Sequence, residues 1–374
     1  SGYDCHQNIV PMTMYFGIRP ASKFKVNQLE ERVLRISDPK SDEYGQYMNI
    51  SQINHYTRSS NQDRNLVLNW LNDHGFDQSE MLWYADSVRV TAHFSKFERL
   101  FNHPVTRFRI KKGQNLIFPS FARHAKFDIP KNIEKVLDVI DGWQSQIPNK
   151  SLVKSTTSYS NQADPGLVSM EVIQRIYQIP KGVLVDGNKV SLGAMEYQGY
   201  SGFSNEDLKN CQKANNIPDT GIPTSNIIGH LGFPDTESQL DVQLLTQTAP
   251  GATLWYESFN GWMFAWANDF FNRREVPDIV SISWGWNEMD QCSIGIGTCL
   301  HENSRQYVRR TNYEFMKLAA RGITILVSSG DAGSPGRTLE YCDVSSKNNQ
   351  TMNPIFPGSS KWVTSVGATF LTRG

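Results

Sequence analysis

The stretch Ile323-Thr-Ile-Leu-Val-Ser-Ser-Gly-Asp-Ala-Gly333 joins a short apolar run, rich in β-branched residues, to an aspartate flanked by glycines. A run of this kind is typical of a buried strand in a parallel sheet. Asp331 is therefore expected where a strand of such a sheet meets its loop. Catalytic groups of open α/β sheets gather at the carboxyl ends of the strands, so the stretch predicts both the fold and the edge at which a site would lie.

Two further carboxylates lie on a helix predicted over residues 237–248. Glu237 and Asp241 are four residues apart in Glu-Ser-Gln-Leu-Asp, so their side chains project from one helical face, one turn apart. Two carboxyl groups that share a site cannot both ionise cheaply, and one pKa of the pair is expected to rise. An isolated pair at this spacing is more often a solvated helix face, and that alternative stays open at this point.

The composition is that of an ordinary globular protein and excludes several classes of function. The chain has 374 residues, of which 39% are apolar and 20% charged, and Lys plus Arg equals Asp plus Glu at 37 each. This length allows two or three domains. The balanced charge points to neither nucleic acid nor an anionic membrane surface as a partner. No apolar run approaches the ~18 residues of a transmembrane helix, and the start at Ser1, without a leader, suggests a processed product.

The N-terminal region, residues 9–146, has a pattern of its own. Short strands and helices alternate there in a way that predicts a compact α+β domain with helices on one side of its sheet. The predicted strands cover residues 10–17, 87–94 and 105–110, and the predicted helices cover residues 26–37, 61–74 and 97–101. Between Gln144 and Pro165 the chain becomes polar, with almost no large apolar residue, which is typical of an exposed linker.

Beyond the linker, strands and helices alternate regularly, which predicts a doubly wound, mostly parallel α/β sheet. The predicted strands cover residues 190–196, 227–231, 253–256, 279–284 and 323–328, and the predicted helices cover residues 205–214, 237–248, 262–272 and 308–320. The chain therefore divides into a domain of residues 1–150, a linker of residues 151–166, and a second domain of residues 167–374.

The five cysteines are too sparse for a disulfide scaffold. Cys292 and Cys299 bracket a short glycine-rich loop and are candidates for a local bridge. The remaining Cys5, Cys211 and Cys342 are odd in number. No CxxC pattern occurs and the eight histidines are scattered, so the spacing does not predict a zinc site.

Three Asn-x-Ser/Thr triplets make Asn49, Asn149 and Asn349 candidates for glycosylation. Such triplets also arise by chance. If they are used, the chain passes through the secretory pathway.

Several stretches of this chain occur in an order that matches one known family. They are residues 37–47 (Ser-Asp-Pro-Lys-Ser-Asp-Glu-Tyr-Gly-Gln-Tyr), 237–245 (Glu-Ser-Gln-Leu-Asp-Val-Gln-Leu-Leu), 281–285 (Ser-Ile-Ser-Trp-Gly), 315–322 leading into 329–333, and 356–369 (Phe-Pro-Gly-Ser-Ser-Lys-Trp-Val-Thr-Ser-Val-Gly-Ala-Thr). These stretches resemble successive blocks of the sedolisin family of serine-carboxyl peptidases, and the first resembles the signature of that family's activation propeptide. The resemblance spans nearly the whole chain, which makes it far more specific than any single motif.

The resemblance implies a subtilisin-like peptidase domain, with its C-terminal part missing, preceded by an α+β propeptide domain. The family's catalytic unit is Ser-Glu-Asp with a further Asp in the oxyanion hole. Matched position by position, Glu237 resembles the general base, Asp241 the carboxylate that orients it, and Asp331 the oxyanion acid. An oxyanion-hole aspartate must be protonated to donate a hydrogen bond, so activity is expected under acidic conditions. The ordered blocks favour this assignment over a solvated helix face.

The resemblance implies roles for further residues. For two of these roles, a purely structural explanation stays open as well. Ser283, Trp284 and Gly285 resemble the strand that pairs with the substrate backbone, or they form an ordinary buried strand. Glu196 resembles an acidic residue that extends the proton network of the base, or it simply closes its strand. Cys342 resembles a cysteine that bridges to the family's C-terminal segment.

One departure from the family concerns the nucleophile. Its Ser-Gly-Thr-Ser-like motif follows the 356–369 block, so the resemblance places the nucleophilic Ser beyond Gly374, together with the family's calcium site. Two explanations stay open. The chain is the N-terminal part of a longer zymogen, whose remainder is continuous or a separate chain, or it is a catalytically inactive pseudoprotease that acts as a binding or structural protein.

The expected molecule is thus the precursor of an acid-acting peptidase that hydrolyses peptides or proteins and is inhibited by its own propeptide. Its expected location is the secretory pathway, in a lysosome or other acidic vesicle, or outside the cell. Tripeptidyl-peptidase action and endopeptidase action both stay open, because the loops that decide between them carry no clear signal.

Overall fold

A computed structural model of the chain describes residues 11–103, 106–112, 115–122, 128–142, 169–197, 201–292, 297–298, 304–331, 333, 336 and 352–369. The chain forms two compact units, each of which is discontinuous in sequence. The first unit gathers Ser1–Ile147, Gly261–Arg274 and Glu288–Gly322, and the second gathers Pro148–Asn260, Glu275–Asn287 and Ile323–Gly374.

Helices and short strands alternate along the described chain. The helices are α1 (Lys23–Ser37), α2 (Ile50–Thr57), α3 (Asn61–Asp73), α4 (Phe94–Phe101), α5 (Lys131–Glu134), α6 (Met170–Ile176), α7 (Asn205–Ala214), α8 (Thr236–Thr248), α9 (Met263–Asn272) and α10 (Ser304–Ala320). The strands are β1 (Met12–Ile18), β2 (Met81–Trp83), β3 (Ser87–Ala92), β4 (Thr106–Lys112), β5 (Asn115–Ala122), β6 (Leu137–Asp141), β7 (Ser191–Glu196), β8 (Ser201–Gly202), β9 (Ile227–Gly229), β10 (Phe233–Pro234), β11 (Thr253–Ser258), β12 (Ile279–Ile282), β13 (Trp286–Asn287), β14 (Gly297–Thr298), β15 (Thr324–Ser328), β16 (Ile355–Phe356) and β17 (Thr364–Val366).

An antiparallel sheet with the strand order β14-β6-β1-β3-β2 forms the centre of the first unit. Alternate residues of β1 and β3 face one side, where Phe16 lies opposite Val88 and both are fully buried. Aromatic side chains of α3 and α4 pack there, since the ring centroids of Trp70 and Phe101 lie 5.9 and 6.3 Å from that of Phe16. This core confirms the α+β architecture predicted for the N-terminal region.

Capping residues set the limits of the helices in this unit. Asn49 and Gln52 form a reciprocal capping box at the start of α2, a helix that the hydrophobic pattern had not predicted. Gly75 has a φ of +81° just after α3, a left-handed conformation that glycine adopts without strain and that is common where a helix ends.

The second face of the sheet is also covered, which differs from the expectation of helices on one side only. Ser87 Oγ donates to Asn268 Oδ1 at 3.0 Å, and Arg89 forms an ion pair with Asp269 at 2.6 Å; both acceptors belong to α9. On the same face, a Cβ at Gly17 would lie 3.0 Å from Phe264 of α9, so the small residue permits this close approach. Because this face is small and polar and its partners lie far along the chain, local periodicity did not reveal it.

A buried cluster of four charges joins the sheet to α10 within the first unit. Asp86 accepts hydrogen bonds from Arg310 at 3.1 Å and from Lys317 at 3.0 Å. Glu314 forms ion pairs with the same two cations, at 2.7 and 2.6 Å. None of the four side chains is more than 3% exposed. On α10 the two cations outnumber the one anion, so Asp86 is the counter-ion that balances the buried charge.

The sheet of the second unit is parallel. In the part of this unit that the structure describes, six strands follow the order β17-β15-β12-β7-β11-β9, and every neighbouring pair is parallel. The chain adds β9 and β11 on one side of β7, and then β12, β15 and β17 on the other. This topology confirms the doubly wound sheet. One face packs against α7 and α8, in a core that includes Ala194, Leu208, Val242 and Tyr256.

Some predicted limits differ from the observed ones. The strand predicted over residues 279–284 ends at Ile282, and α10 begins at Ser304 rather than at Val308. The predicted domain limits at 150 and 166 fall within residues 143–168, outside the described residues, and stay predictions. Within the described ranges, the structure contains no helix with the length and apolar character needed to span a bilayer.

Replacing Asp86 by Asn should destabilise the first unit strongly. The change leaves the excess cation of α10 buried without its counter-ion, which costs about 3–5 kcal/mol. Hydrogen exchange of peptides that cover β3 and α10 measures this as a lower free energy of opening. The matched control is Asp42→Asn, because Asp42 is exposed.

The effect of Asp86→Asn should also depend on pH. Burial alone would raise the pKa of Asp86, but the charges of Lys317 and Arg310 hold it below its ordinary value of 3.8. A depressed pKa means that the carboxylate stabilises the fold above pH 3.8 and that this contribution disappears as pH falls through the lower, folded-state pKa. The difference in the free energy of opening between wild type and variant should therefore be largest at neutral pH and should decrease below pH 3.8. A difference that stays constant down to pH 2 would contradict the role of Asp86 as a charged counter-ion.

Candidate active site

The carboxyl ends of the parallel strands bring several of the predicted residues to one edge of the second unit's sheet. The order of strand addition reverses between β7 and β12, which is the point where open α/β sheets form a crevice. Glu196 is the last residue of β7, and Trp284 lies two residues beyond the end of β12. The two side chains therefore face each other across the switch point.

Trp284 and Glu196 are joined by a short hydrogen bond. The indole Nε1 donates to Glu196 Oε2 at 2.5 Å, and the two residues are 2% and 0% exposed. Such a buried carboxyl would be costly without a donor, and the indole provides one. The other oxygen, Oε1, is buried and has no hydrogen-bond partner among the described residues.

Helix α8 carries the other two carboxylates of the predicted network. Asp235 caps the helix, since its Oδ1 accepts from Ser238 N at 3.0 Å. Glu237 follows in the first turn and is half-buried, whereas Asp241, one turn further, is only 8% exposed. The shared helical face predicted from their spacing is thus present, with Asp241 further from solvent than Glu237.

The electrostatics show that these carboxyl groups form one cluster. Burial, and then the negative charges of Asp241, Asp235 and Glu237, raise the pKa of Glu196 well above its usual range. The sequence predicted a raised pKa for one member of the Glu237/Asp241 pair. In the structure, burial first of all raises the pKa of Glu196; the raised pKa within the Glu237/Asp241 pair stays a prediction.

Asp331 lies at the same edge of the sheet but further along it. It follows β15, which is two strands from β7, and its side chain is exposed. This position at the carboxyl end of a buried strand is the one predicted from the stretch at 323–333. Its role in an oxyanion hole stays a prediction.

Ser283, Trp284 and Gly285 leave the sheet after β12 and form no strand. The Trp284 side chain points inward to Glu196, while Ser283 and Gly285 are half-buried. A Cβ at Gly285 would lie 2.5 Å from Ile355 and 2.9 Å from the carbonyl oxygen of Phe356, so this segment runs close to β16. Pairing of this segment with a substrate stays a prediction.

The sequence reasoning missed three residues of this site: Asp235, Ser238 and Tyr256. Asp235 could have been found from its place before the helix, since Asp is a preferred N-cap residue. Tyr256 gave no signal, because it lies in the run Thr253-Leu-Trp-Tyr256, where an aromatic residue is ordinary for a strand.

The predicted disulfide and glycosylation sites are only partly described. Cys211 is a free thiol. Cys292 is disulfide-bonded, and Asn49 is exposed and caps α2. The remaining candidates lie outside the described residues, so the partner of Cys292 and the glycans stay predictions; these residues are Cys5, Cys299, Cys342, Asn149 and Asn349.

The described residues do not contain a group of three His, Cys, Asp or Glu side chains that could hold a metal ion. The calcium site expected from the resemblance lies beyond Gly374 and stays a prediction.

Compared with wild type, the Glu196→Gln variant should have a second unit whose stability is more favourable at neutral pH than at acidic pH. Gln keeps an oxygen that accepts from Trp284 but cannot ionise. A raised folded-state pKa means that the carboxyl contributes stability fully below its ordinary value of 4.5, and that this contribution is lost as pH rises through the folded-state pKa. The melting temperature of the variant relative to wild type should rise between pH 4 and pH 8 by at least about 2 °C.

The control for this measurement is Glu275→Gln, an exposed residue of the same unit, which should show no such trend. If the two variants respond alike to pH, Glu196 does not carry a raised pKa.

Comparison with known proteins gives consistent results. Residues 7–146 match the family model of the pro-kumamolisin activation domain. Physarolisin of Physarum polycephalum is 33% identical over 92% of this chain and 58% of its own length. Tripeptidyl-peptidase 1 of Dictyostelium discoideum is 25% identical over 94% of this chain, and that of Homo sapiens 24% identical over 96%, each over 61% of the relative.

A solved structure of Pseudomonas sedolisin, a serine-carboxyl proteinase, matches 53% of this chain and 50% of its own chain, at 19% identity and a TM-score of 0.33. The chain spans between 58% and 61% of the length of the relatives named above. Their matches run through both units and agree with the ordered blocks found in the sequence. Residues 7–146 form a pro-kumamolisin-type activation domain, and this match, with the similarity to Physarolisin and tripeptidyl-peptidase 1, supports the sedolisin family that the ordered blocks of the sequence resemble.

Proposed function

We propose that this chain belongs to the precursor of an acid-acting serine-carboxyl peptidase that hydrolyses peptide bonds, with tripeptidyl-peptidase-like action. Glu237 is the general base, Asp241 orients it, Asp331 donates to the oxyanion, and the nucleophilic serine lies beyond Gly374. The observation that supports this proposal is the carboxyl cluster of Glu196, Glu237 and Asp241 at the switch point of a doubly wound sheet.

The burial of the cluster supports the order in which its members would exchange protons. Glu196 is fully buried and its pKa is raised, so it is neutral under acidic conditions and can act as a hydrogen-bond donor to a neighbouring carboxylate. Asp241 is nearly buried, and Glu237 is the most accessible of the three. The negative charge of the cluster is then available at Glu237, where a serine hydroxyl would give up its proton.

Asp331 would have to be neutral, whereas the base Glu237 would have to be negatively charged. A tetrahedral intermediate develops a negative oxygen, and a protonated carboxyl group can donate to it where a carboxylate would repel it. The exposure of Asp331 at the end of β15 leaves it accessible to a substrate. Acidic conditions therefore favour both halves of the mechanism.

The segment after β12 would hold the substrate backbone. The side chain of Trp284 is held by its hydrogen bond to Glu196, and this contact also fixes the positions of its neighbours Ser283 and Gly285. Residues 283–285 form no strand and lie directly after β12, and an extended peptide can pair with backbone groups at such a place.

The activation domain would act as an intramolecular inhibitor until it is removed. The proposed location is an acidic compartment of the secretory pathway, such as a lysosome, or the extracellular space. Calcium would bind to the segment beyond Gly374.

An inactive pseudoprotease is the alternative. The cost of a carboxyl group buried among three others argues for the enzyme, since a binding scaffold would gain stability by replacing Glu196 with an uncharged residue.

The full-length protein should cleave peptides only under acidic conditions. Asp331→Asn keeps a hydrogen-bond donor at all pH values and should flatten the loss of activity towards neutral pH. Asp331→Ala removes the donor and should lower kcat by about 10²-fold or more. Peptide hydrolysis measured from pH 3 to pH 8 tests this, with Asp219→Asn, an exposed residue of the same unit, as control. Activity that is highest at neutral or alkaline pH would overturn the assignment.

Incubation of the full-length precursor at low pH should produce a cut between residues 144 and 165. This stretch has the polar composition of an accessible segment, which the flanking regions lack. N-terminal sequencing of the product locates the cut. A cut within α8, or activity without any cut, would exclude the zymogen hypothesis.

A further inference from the structure

Helix α8, which carries the proposed base, has an unusual buried side. Its buried residues are Ser238, Asp241, Val242, Thr246 and Gln247, of which only Val242 is apolar. Apolar contacts hold a helix against a sheet but are non-directional, so they fix its rotation poorly. The rotation of α8 therefore depends on its polar contacts, and these contacts also set where Glu237 and Asp241 point.

The start of the helix is held by Asp235. Its backbone N donates to Gly202 O at 3.0 Å, and its Oδ2 accepts from Gly202 N at 3.2 Å. Gly202 is the last residue of β8, which pairs with β10 just before the helix. A Cβ at Gly202 would clash with the backbone of Gly232, so a glycine is required for this close pairing.

Ser238 extends this cap towards the sheet. Besides the bond from its backbone N, its Oγ donates to Asp235 Oδ2 at 3.1 Å. A cap needs only the backbone bond, so the fully buried hydroxyl serves another contact. That contact is the hydroxyl of Tyr256 on β11, at 3.1 Å.

Tyr256 provides the fixed end of the chain of hydrogen bonds. The residue is fully buried, and its ring packs against that of Phe203 with centroids 4.9 Å apart. Burial, and then the charge of Glu196, raise the pKa of Tyr256, which keeps the phenol neutral and able to donate. Because the Ser238 proton is directed to Asp235, the Tyr256 proton is directed to Ser238 Oγ.

The hydrogen bonds therefore run in one direction, from Tyr256 to Ser238 to Asp235. Glu237 lies between the last two in sequence, so both of its sides are anchored. Displacement of a catalytic group by about 1 Å can lower the rate of a reaction by about 10²-fold, which makes such anchoring consequential.

We propose that Tyr256, acting through Ser238 and Asp235, is a positioning residue that sets the rotation of α8 and thereby the place of the base Glu237. This inference rests on the proposed function for its catalytic consequence. Its structural part, the anchoring of the first turn of α8 by a phenol of β11, stands independently.

The test uses Tyr256→Phe, which removes the hydroxyl and keeps the ring. In the full-length protein, kcat for a peptide substrate should fall about 3- to 10-fold, the effect of losing one hydrogen bond, while KM changes less than twofold. The pH profile should keep its shape, because a neutral hydroxyl is removed and no titrating group changes. Hydrogen exchange of peptides covering residues 235–242 should accelerate by a similar factor, with β12 and β15 unchanged.

Two further variants locate the effect. Ser238→Ala breaks the same chain at its middle, so the double variant with Tyr256→Phe should be no slower than the slower single variant. Tyr44→Phe is the matched control, because Tyr44 is exposed and belongs to the first unit, whereas α8 belongs to the second. It should change neither kcat nor the exchange of α8.

The outcomes separate this inference from the proposed function. If wild type hydrolyses no peptide but Tyr256→Phe accelerates exchange in α8, the proposed function fails and the anchoring is supported. If wild type is active and Tyr256→Phe leaves kcat and α8 exchange unchanged, the positioning role is overturned. Faster exchange throughout the sheet, with KM and kcat both altered, would mean a general structural role and would also overturn it.

Discussion

The hydrogen bond from Trp284 to Glu196 is the constraint on which the candidate site depends. It links the residues at the carboxyl ends of β7 and β12, where the order of the sheet reverses and where open α/β sheets form a crevice. It also makes the burial of Glu196 possible, since a carboxyl group without a donor in that place would cost several kcal/mol. Because the pKa of Glu196 is raised, this residue readily becomes neutral. A neutral Glu196 does not repel the neighbouring carboxylates of α8, so these groups can lie near one another in the folded state.

Asp86 and Glu196 are buried carboxyl groups in opposite electrostatic surroundings. Asp86 in the first unit faces two cations and remains charged, whereas Glu196 in the second faces three carboxylates and favours its neutral form. The first arrangement loses stability as protons are added, and the second loses stability as they are removed. Mild acidity is therefore the condition under which both of these carboxyl groups are in the form that their surroundings favour. This physical property of the fold agrees with the acidic activity proposed for the full-length protein.

The sequence revealed the features that depend on local pattern. The apolar run before Asp331 and the four-residue spacing of Glu237 and Asp241 both correctly indicated where these residues lie in the fold. Contacts between distant residues were not accessible in this way. Trp284 and Glu196 are 88 residues apart, and a Trp at the end of a strand carries no sign of its partner. The covered second face of the first unit's sheet was missed because its small and polar residues resemble a solvated face.

The distance in sequence between Asp86 and its partners has a consequence for synthesis on the ribosome. Lys317 follows Asp86 by 231 residues, so at about 5–20 residues per second β1, β2 and β3 are made roughly 10–50 s before the end of α10. Until α9 and α10 have been made, these helices cannot cover the second face of the three strands. An apolar face would attract other nascent chains, but a face with Ser87, Arg89 and an ionised Asp86 stays hydrated. The polar character of this face thus suits a surface that is made early and covered late.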